Sequence, residues 1–186
     1  MKKKLYLKIA LLSLTGMSLF SSCLKDNSHY VDYSNVGVLV ELPLGEPTYA
    51  SGANNGVFQT LTYSASGTTP DTLTVAVNVA SPKPLTSALA VTLSTTDATQ
   101  VAAYNTANGT NYQLLPSSDY TVIGSGLTVT VPANQRLAYA KIIIKPAAIG
   151  VANSGTYVLP VTIESASGQP IALPYKNLFY NVIVTP

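Results

Sequence analysis

The chain is 186 residues long, 47% hydrophobic and only 10% charged, with one cysteine and a formal net charge of +2. Four of its ten basic residues fall within the first eight positions (Lys2, Lys3, Lys4 and Lys8). Past residue 22, six basic residues stand against eight acidic ones, a net charge near −2. With Arg136 the sole arginine and no Lys/Arg cluster beyond the leader, the electrostatic footprint of a nucleic-acid binder is absent. A single cysteine allows neither an intrachain disulfide nor a thiolate metal cluster.

The leader comes first. The basic residues precede an apolar run from Ile9 to Phe20 that ends in Ser21, Ser22 and Cys23, which predicts a secretory signal over residues 1–22. A membrane-spanning helix needs about 20 apolar residues, and this run is shorter and broken by serines. "LFSSC" resembles a bacterial lipobox, in which the cysteine becomes the diacylglyceryl-modified N-terminus, so Cys23 is the expected lipidation site. Lys25-Asp26 resembles the short charged signal that sends Bacteroidota lipoproteins to the outer face of the outer membrane. Residues 23–34 then read as a polar tether, and residues 35–186 as one domain large enough to bury a core without disulfides.

Period-2 alternation follows. "VGVLVEL" puts Val36, Val38, Val40 and Leu42 on one face; "VFQTLTYS" aligns Val57, Leu61 and Tyr63; "TLTVAVNV" sets Leu73, Val75, Val77 and Val79 against Thr72, Thr74, Ala76 and Asn78. Six further strands begin near Ala88, Asp119, Leu127, Leu137, Thr156 and Asn177, separated by Gly, Pro, Asn and Ser turns. Nine short alternating strands indicate an all-β, antiparallel sandwich. Pro160 inside its strand predicts an edge or a bulge there, because proline cannot donate to a ladder. One stretch, "DATQVAAYNTANG", predicts the domain's one short helix. Asp97 is the N-cap, Gln100 lies three residues on, Gly109 is the stop, and Val101 and Tyr104 share a side.

Residues 103–122, "AYNTANGTNYQLLPSSDYTV", concentrate tyrosines and amides. Their Tyr104-Asn105, Gly109-Thr110-Asn111-Tyr112, Leu115-Pro116 and Asp119-Tyr120 come in a set order. Thr130-Val131-Pro132-Ala133 and Tyr157-Val158-Leu159-Pro160-Val161 follow. In this order the motifs resemble DUF1735, also called the BT_3987-like N-terminal domain, of Bacteroidota surface lipoproteins. The resemblance runs over roughly residues 36–184. It implies an Ig-like or Calx-β-like sandwich, no catalytic residue in the domain itself, and association with polysaccharide-utilisation systems, sometimes ahead of a hydrolase domain.

The residues give little to catalysis. Serine-hydrolase chemistry needs an oriented base beside its nucleophile, and the one histidine, His29, falls in the tether without a G-x-S-x-G motif elsewhere. Glycoside hydrolysis needs two facing carboxylates, and no acid stands amid aromatics and basic partners. Calx-β domains proper bind calcium through acidic clusters, and this chain has no Asp-Asp or Asp-x-Asp grouping. No enzyme activity, catalytic residue, metal or cofactor is therefore expected.

Sugar recognition is suited to Tyr with Asn and Asp, since rings pack on C–H faces and polar groups take hydroxyls. Tyr104, Asn105, Tyr112, Asp119 and Tyr120 are the candidate ligand contacts, although stapling of helix and loop is the more ordinary use of such residues. Asp71-Thr72-Leu73 resembles the Bacteroidota O-glycosylation signature, with Thr72 as acceptor. The expected protein is a lipid-anchored, surface-exposed outer-membrane lipoprotein that binds a glycan or serves adhesion. The alternative is a structural spacer or protein-interaction module of the envelope. An accessory of a catalytic domain is a third possibility.

Overall fold

A computed structural model describes residues 37–45, 57–66 and 71–186, and of Val57, Phe58 and Asp71 the backbone alone. The leader, Cys23, His29, the tether and Val36 lie outside the described residues. Ten strands appear among those described, namely β1 Leu39–Glu41, β2 Val57–Ser64, β3 Asp71–Ala80, β4 Leu89–Ser94, β5 Gln113–Leu114, β6 Tyr120–Ile123, β7 Thr128–Val131, β8 Leu137–Ile144, β9 Tyr157–Ser165 and β10 Asn177–Thr185. Two helices join them: α1, Ala98–Asn108, and a single turn, α2, Pro146–Ile149.

The strands form two sheets. One runs β1-β3-β8-β6; the other runs β2-β10-β9-β4-β7, with β5 paired to β9. All nine expected strands are present, and the fold is an all-β sandwich. Alternation decides the inner faces. Val75, Val77 and Val79 of β3 are fully buried, Leu73 nearly so, and they meet Leu89, Val91 and Leu93 of β4, Leu159, Val161 and Ile163 of β9, and Val182 and Val184 of β10 in one core. Each such side chain contributes about 1.5–3 kcal/mol on burial. A one-residue slip would turn the whole set outward, so the register is firmly held.

Three features depart from the expectation. Strand pairing is antiparallel except that β2 lies parallel to β10 over its full length and β5 parallel to β9; an isolated bridge, Val40↔Ile171, is parallel as well. Alternation fixes which face is buried but carries no sign of strand direction. A further helical turn, α2, starts at Pro146, whose fixed φ and missing N–H suit a first helical position, and it buries Ile149.

Finally, the strand that carries Pro160 is central, not an edge: β9 pairs with β10 on one side and with β5 and β4 on the other. The proline sits where those last two neighbours hand over. Leu115 N–H donates to the Val158 carbonyl at 2.8 Å. The next bond of that parallel ladder would need an N–H at position 160, which proline lacks. Pairing with β5 ends at Leu114↔Val158, and β4 takes up the edge from Thr162.

Candidate functional site

The tyrosine- and amide-rich stretch is built from its helix outward. Asp97 caps α1 through its side chain, which accepts from the Gln100 N–H at 3.2 Å, and Gly109 ends the helix in the left-handed region at φ 64°. These are the two ends that the sequence marked. Val101 is buried, and with Val158 of β9 and Phe179 of β10 it forms a small apolar cluster outside the main core, flanked by Tyr104, Tyr112 and Leu114. The Tyr104 ring lies 5.2 Å from that of Phe179 and 6.2 Å from that of Tyr112, both tilted. Burial, and then Tyr112, hold the Tyr104 phenol above its usual pKa.

Asn105 closes the loop that follows. Its Nδ2 donates to the Tyr112 carbonyl at 2.8 Å; its Oδ1 accepts from Tyr112 N–H and from Thr110 Oγ1, each at 2.9 Å. The Asn105 carbonyl also accepts from Thr110 N–H at 3.1 Å. One half-buried amide thus fixes residues 109–112 against the helix, which delivers the chain to β5 and to buried Leu115. The Tyr-Asn and Gly-Thr-x-Tyr motifs are two halves of this one knot.

Asp119 and Tyr120 are elsewhere. Asp119 is buried at the end of a 3-10 turn, Ser117–Asp119, with its Oδ1 accepting from Ser118 Oγ at 2.7 Å. Tyr120 begins β6, belongs to the main core, and exchanges a 3.0 Å hydrogen bond with Thr95 Oγ1 through its hydroxyl. Lys145 ties this turn down, its backbone N–H to the Asp119 carbonyl at 2.8 Å and its Nζ to the Ser118 carbonyl at 2.9 Å. Of the five candidate contacts, the structure therefore brings together Tyr104, Asn105 and Tyr112, each half-buried, and places Asp119 and Tyr120 in a separate layer. Thr72 is exposed on the outer face of β3.

Solvent meets aromatic and amide groups on another surface, which the sequence did not single out. Helix α1 packs on the outer face of the β9–β10 pair, while the outer face of the four-stranded sheet is open. There Tyr139 of β8 is 52% exposed and Leu137 44% exposed, with Ala76 and Asn78 of β3 as their register partners. Asn78 Nδ2 donates to Glu41 Oε1 of β1 at 2.7 Å, and Lys141 and Thr74 continue the face. Both alternating sets of β8 are apolar at its start, Leu137 and Tyr139 against Ala138 and Ala140, so polarity alone did not tell which set faces outward. Among the described residues, no three His, Cys, Asp or Glu side chains gather as metal ligands would.

A family model of an N-terminal domain matches residues 33–170. Solved structures share the fold. A proposed carbohydrate binding protein from Bacteroides ovatus is 17% identical, with a TM-score of 0.55 over 78% of this chain and 36% of its own. A multidomain protein including DUF1735, also from Bacteroides ovatus, is 14% identical, with a TM-score of 0.58 over 80% of this chain and 45% of its own. The Bacteroides thetaiotaomicron protein EndoBT-3987, solved with a Man5GlcNAc product, is 24% identical, with a TM-score of 0.52 over 68% of this chain and 28% of its own. The chain thus spans less than half the length of these proteins. No curated protein matches it in sequence.

Proposed function

The chain belongs to the DUF1735 family, the BT_3987-like N-terminal domains, and on that premise we propose that it is a non-enzymatic, glycan-binding accessory of a polysaccharide-utilisation system. In this reading Cys23 carries the lipid, residues 23–34 lift the sandwich off the outer membrane, and the domain meets polysaccharide outside the cell. The relatives that share its fold support the glycan class, one as a proposed carbohydrate binding protein and one solved with a glycan product. The observation that carries it is the open face of the four-stranded sheet, where Tyr139 and Leu137 stand out to solvent and Asn78, opposite Leu137, is hydrogen-bonded to Glu41 of β1. An exposed ring on a rigid sheet offers a sugar a flat apolar surface without a cost in ordering.

Most of the carboxylates whose side chains the structure describes have structural tasks. Asp97 caps a helix, Asp119 is buried against Ser118, and Glu41 holds Asn78, which leaves Glu164 as the described acid without such a task. Retention of the full chain, purified in detergent, on a panel of immobilised plant, host and fungal polysaccharides tests the proposal. Retention on at least one supports it, and none on any sinks it.

One observation favours a second reading. Tyr104, Tyr112 and Tyr120 all go into internal packing, as they would in a spacer or protein-interaction module of the envelope. That module would bind no glycan on the same panel, yet would cross-link to neighbouring envelope proteins in cells.

A further inference from the structure

Strand β8 is assembled against its own polarity. Its inward positions at the start are the small Ala138 and Ala140, 8% and 1% exposed, while the larger Leu137 and Tyr139 point out. Burial would favour the reverse, since a Leu and a Tyr remove far more apolar surface from water than two alanines. The register cannot slip to correct this, because Ile142 and Ile144 further along the same face are fully buried. Large apolar groups held outward by a fixed register are the informative kind of exposure.

The same strand begins at a cleft. Pro84, Asn134, Gln135, Arg136 and Leu137 line an open cavity of about 270 Å³ at this end of the sheet. Its walls are rigid. Gln135 N–H donates to the Pro132 carbonyl at 3.1 Å, closing a turn with Asn134 at φ 63°, a left-handed position that asparagine tolerates. Asn134 N–H reaches the Leu85 carbonyl at 2.7 Å. Arg136 then clamps the facing loop. Its guanidinium donates to the carbonyl and hydroxyl of Ser81 and to the carbonyls of Val79 and Pro82. These bonds tie the strand to the loop.

We propose that this cleft and the Tyr139 platform beside it form one seat for a neutral polysaccharide bound along its length. Leu137 belongs to both, lining the cleft and sharing the outer face with Tyr139 two residues on. A sugar ring packs on Tyr139 and Leu137, and the exposed amides of Asn134 and Gln135 take hydroxyls of the adjoining ring. The class follows from charge: Arg136 is the one charged residue lining the cleft, and its guanidinium is already committed to three backbone carbonyls and a hydroxyl. A uronate seated on the cleft's amides would find no unengaged cation lining it; Lys141, exposed on the outer face two residues beyond Tyr139, lies outside that lining. The openness of the surface admits an internal stretch of chain, where a closed pocket would select an end.

This inference rests on the proposed glycan binding and deepens it. Its test is affinity electrophoresis of the full chain through gels holding either neutral or uronate-containing polysaccharide, for the wild type, Tyr139→Ala, Gln135→Ala and a Tyr112→Ala control. Tyr139 and Gln135 are exposed, so circular dichroism should show both variants folded. The expected result is retardation of the wild type and Tyr112→Ala by neutral polymers, insensitive to salt, with affinity about 10-fold lower in Tyr139→Ala and a smaller loss in Gln135→Ala. Wild-type retardation left intact in both variants would overturn this seat while glycan binding stood. A preference for uronates that fades with salt would overturn the neutral class. A wild-type chain retarded by nothing would overturn both the seat and the function.

Discussion

Replacing Asn105 with alanine is the sharpest test of what the family motif does. Its side chain makes three hydrogen bonds of 2.8–2.9 Å, two to the Tyr112 backbone and one to the Thr110 hydroxyl, and all are partly buried. At about 1 kcal/mol net for each bond, Asn105→Ala costs about 2–3 kcal/mol. For a domain of this size that is roughly 4–12 °C in melting temperature. Thr110→Val removes one of the three and should cost about 1 kcal/mol. Because both act on one knot, the double variant should be little worse than Asn105→Ala alone, a coupling of about 1 kcal/mol. Urea unfolding followed by circular dichroism gives each value by linear extrapolation. Asn105→Ala within about 0.5 kcal/mol of wild type, or strictly additive single variants, would refute the knot. A folded Asn105→Ala protein that had lost polysaccharide binding would show instead that the stretch is a ligand site.

Gly109→Ala should destabilise by about 1 kcal/mol, since an added Cβ meets nothing within 4 Å and the strain is that of the left-handed φ alone; thermal melts that match wild type would contradict this. Tyr180 is almost fully buried in the core and its hydroxyl has no hydrogen-bond partner among the described residues, so Tyr180→Phe should raise stability by about 1 kcal/mol, read by urea unfolding. The same burial, with Tyr63 nearby, lifts the Tyr180 phenol above its ordinary 10.0. Above that pH the unfolded chain releases a proton that the folded chain keeps, so stability is full below pH 10 and falls as pH rises past it. The fall should be shallower in Tyr180→Phe, and identical alkaline slopes would contradict the assignment. Cells fed labelled palmitate should label the wild type and not Cys23→Ala; label retained in the variant would remove the lipid anchor.

Local chemistry made some of this structure legible. Asp97, Gln100 and Gly109 declare both ends of α1 because caps act through neighbours in sequence. The alternation of β3 declares its buried face because one side is all Val and Leu. Legibility fails where the deciding partner is distant. The two-residue β5 exists because the Asn105 knot sets it beside β9, and nothing in Gln113-Leu114 says so. Pro160 excluded an N–H and so pointed to an edge or a bulge, yet a central strand tolerates it where two neighbours meet. In β8 both faces are apolar, and it is the packing of Ile142 and Ile144 that turns Tyr139 outward. The tyrosines that caught attention in residues 103–122 are half-buried or buried, while Tyr139, the exposed one among the described residues, sat unremarked in a strand.

Calorimetric titration of the full chain with a neutral polysaccharide, followed by sizing of the recovered polymer, bears most directly on a non-enzymatic glycan-binding role. Saturable binding with the polymer unchanged in length is the expected result. Absence of binding across plant, host and fungal polymers, or a shortened polymer after incubation, would contradict it.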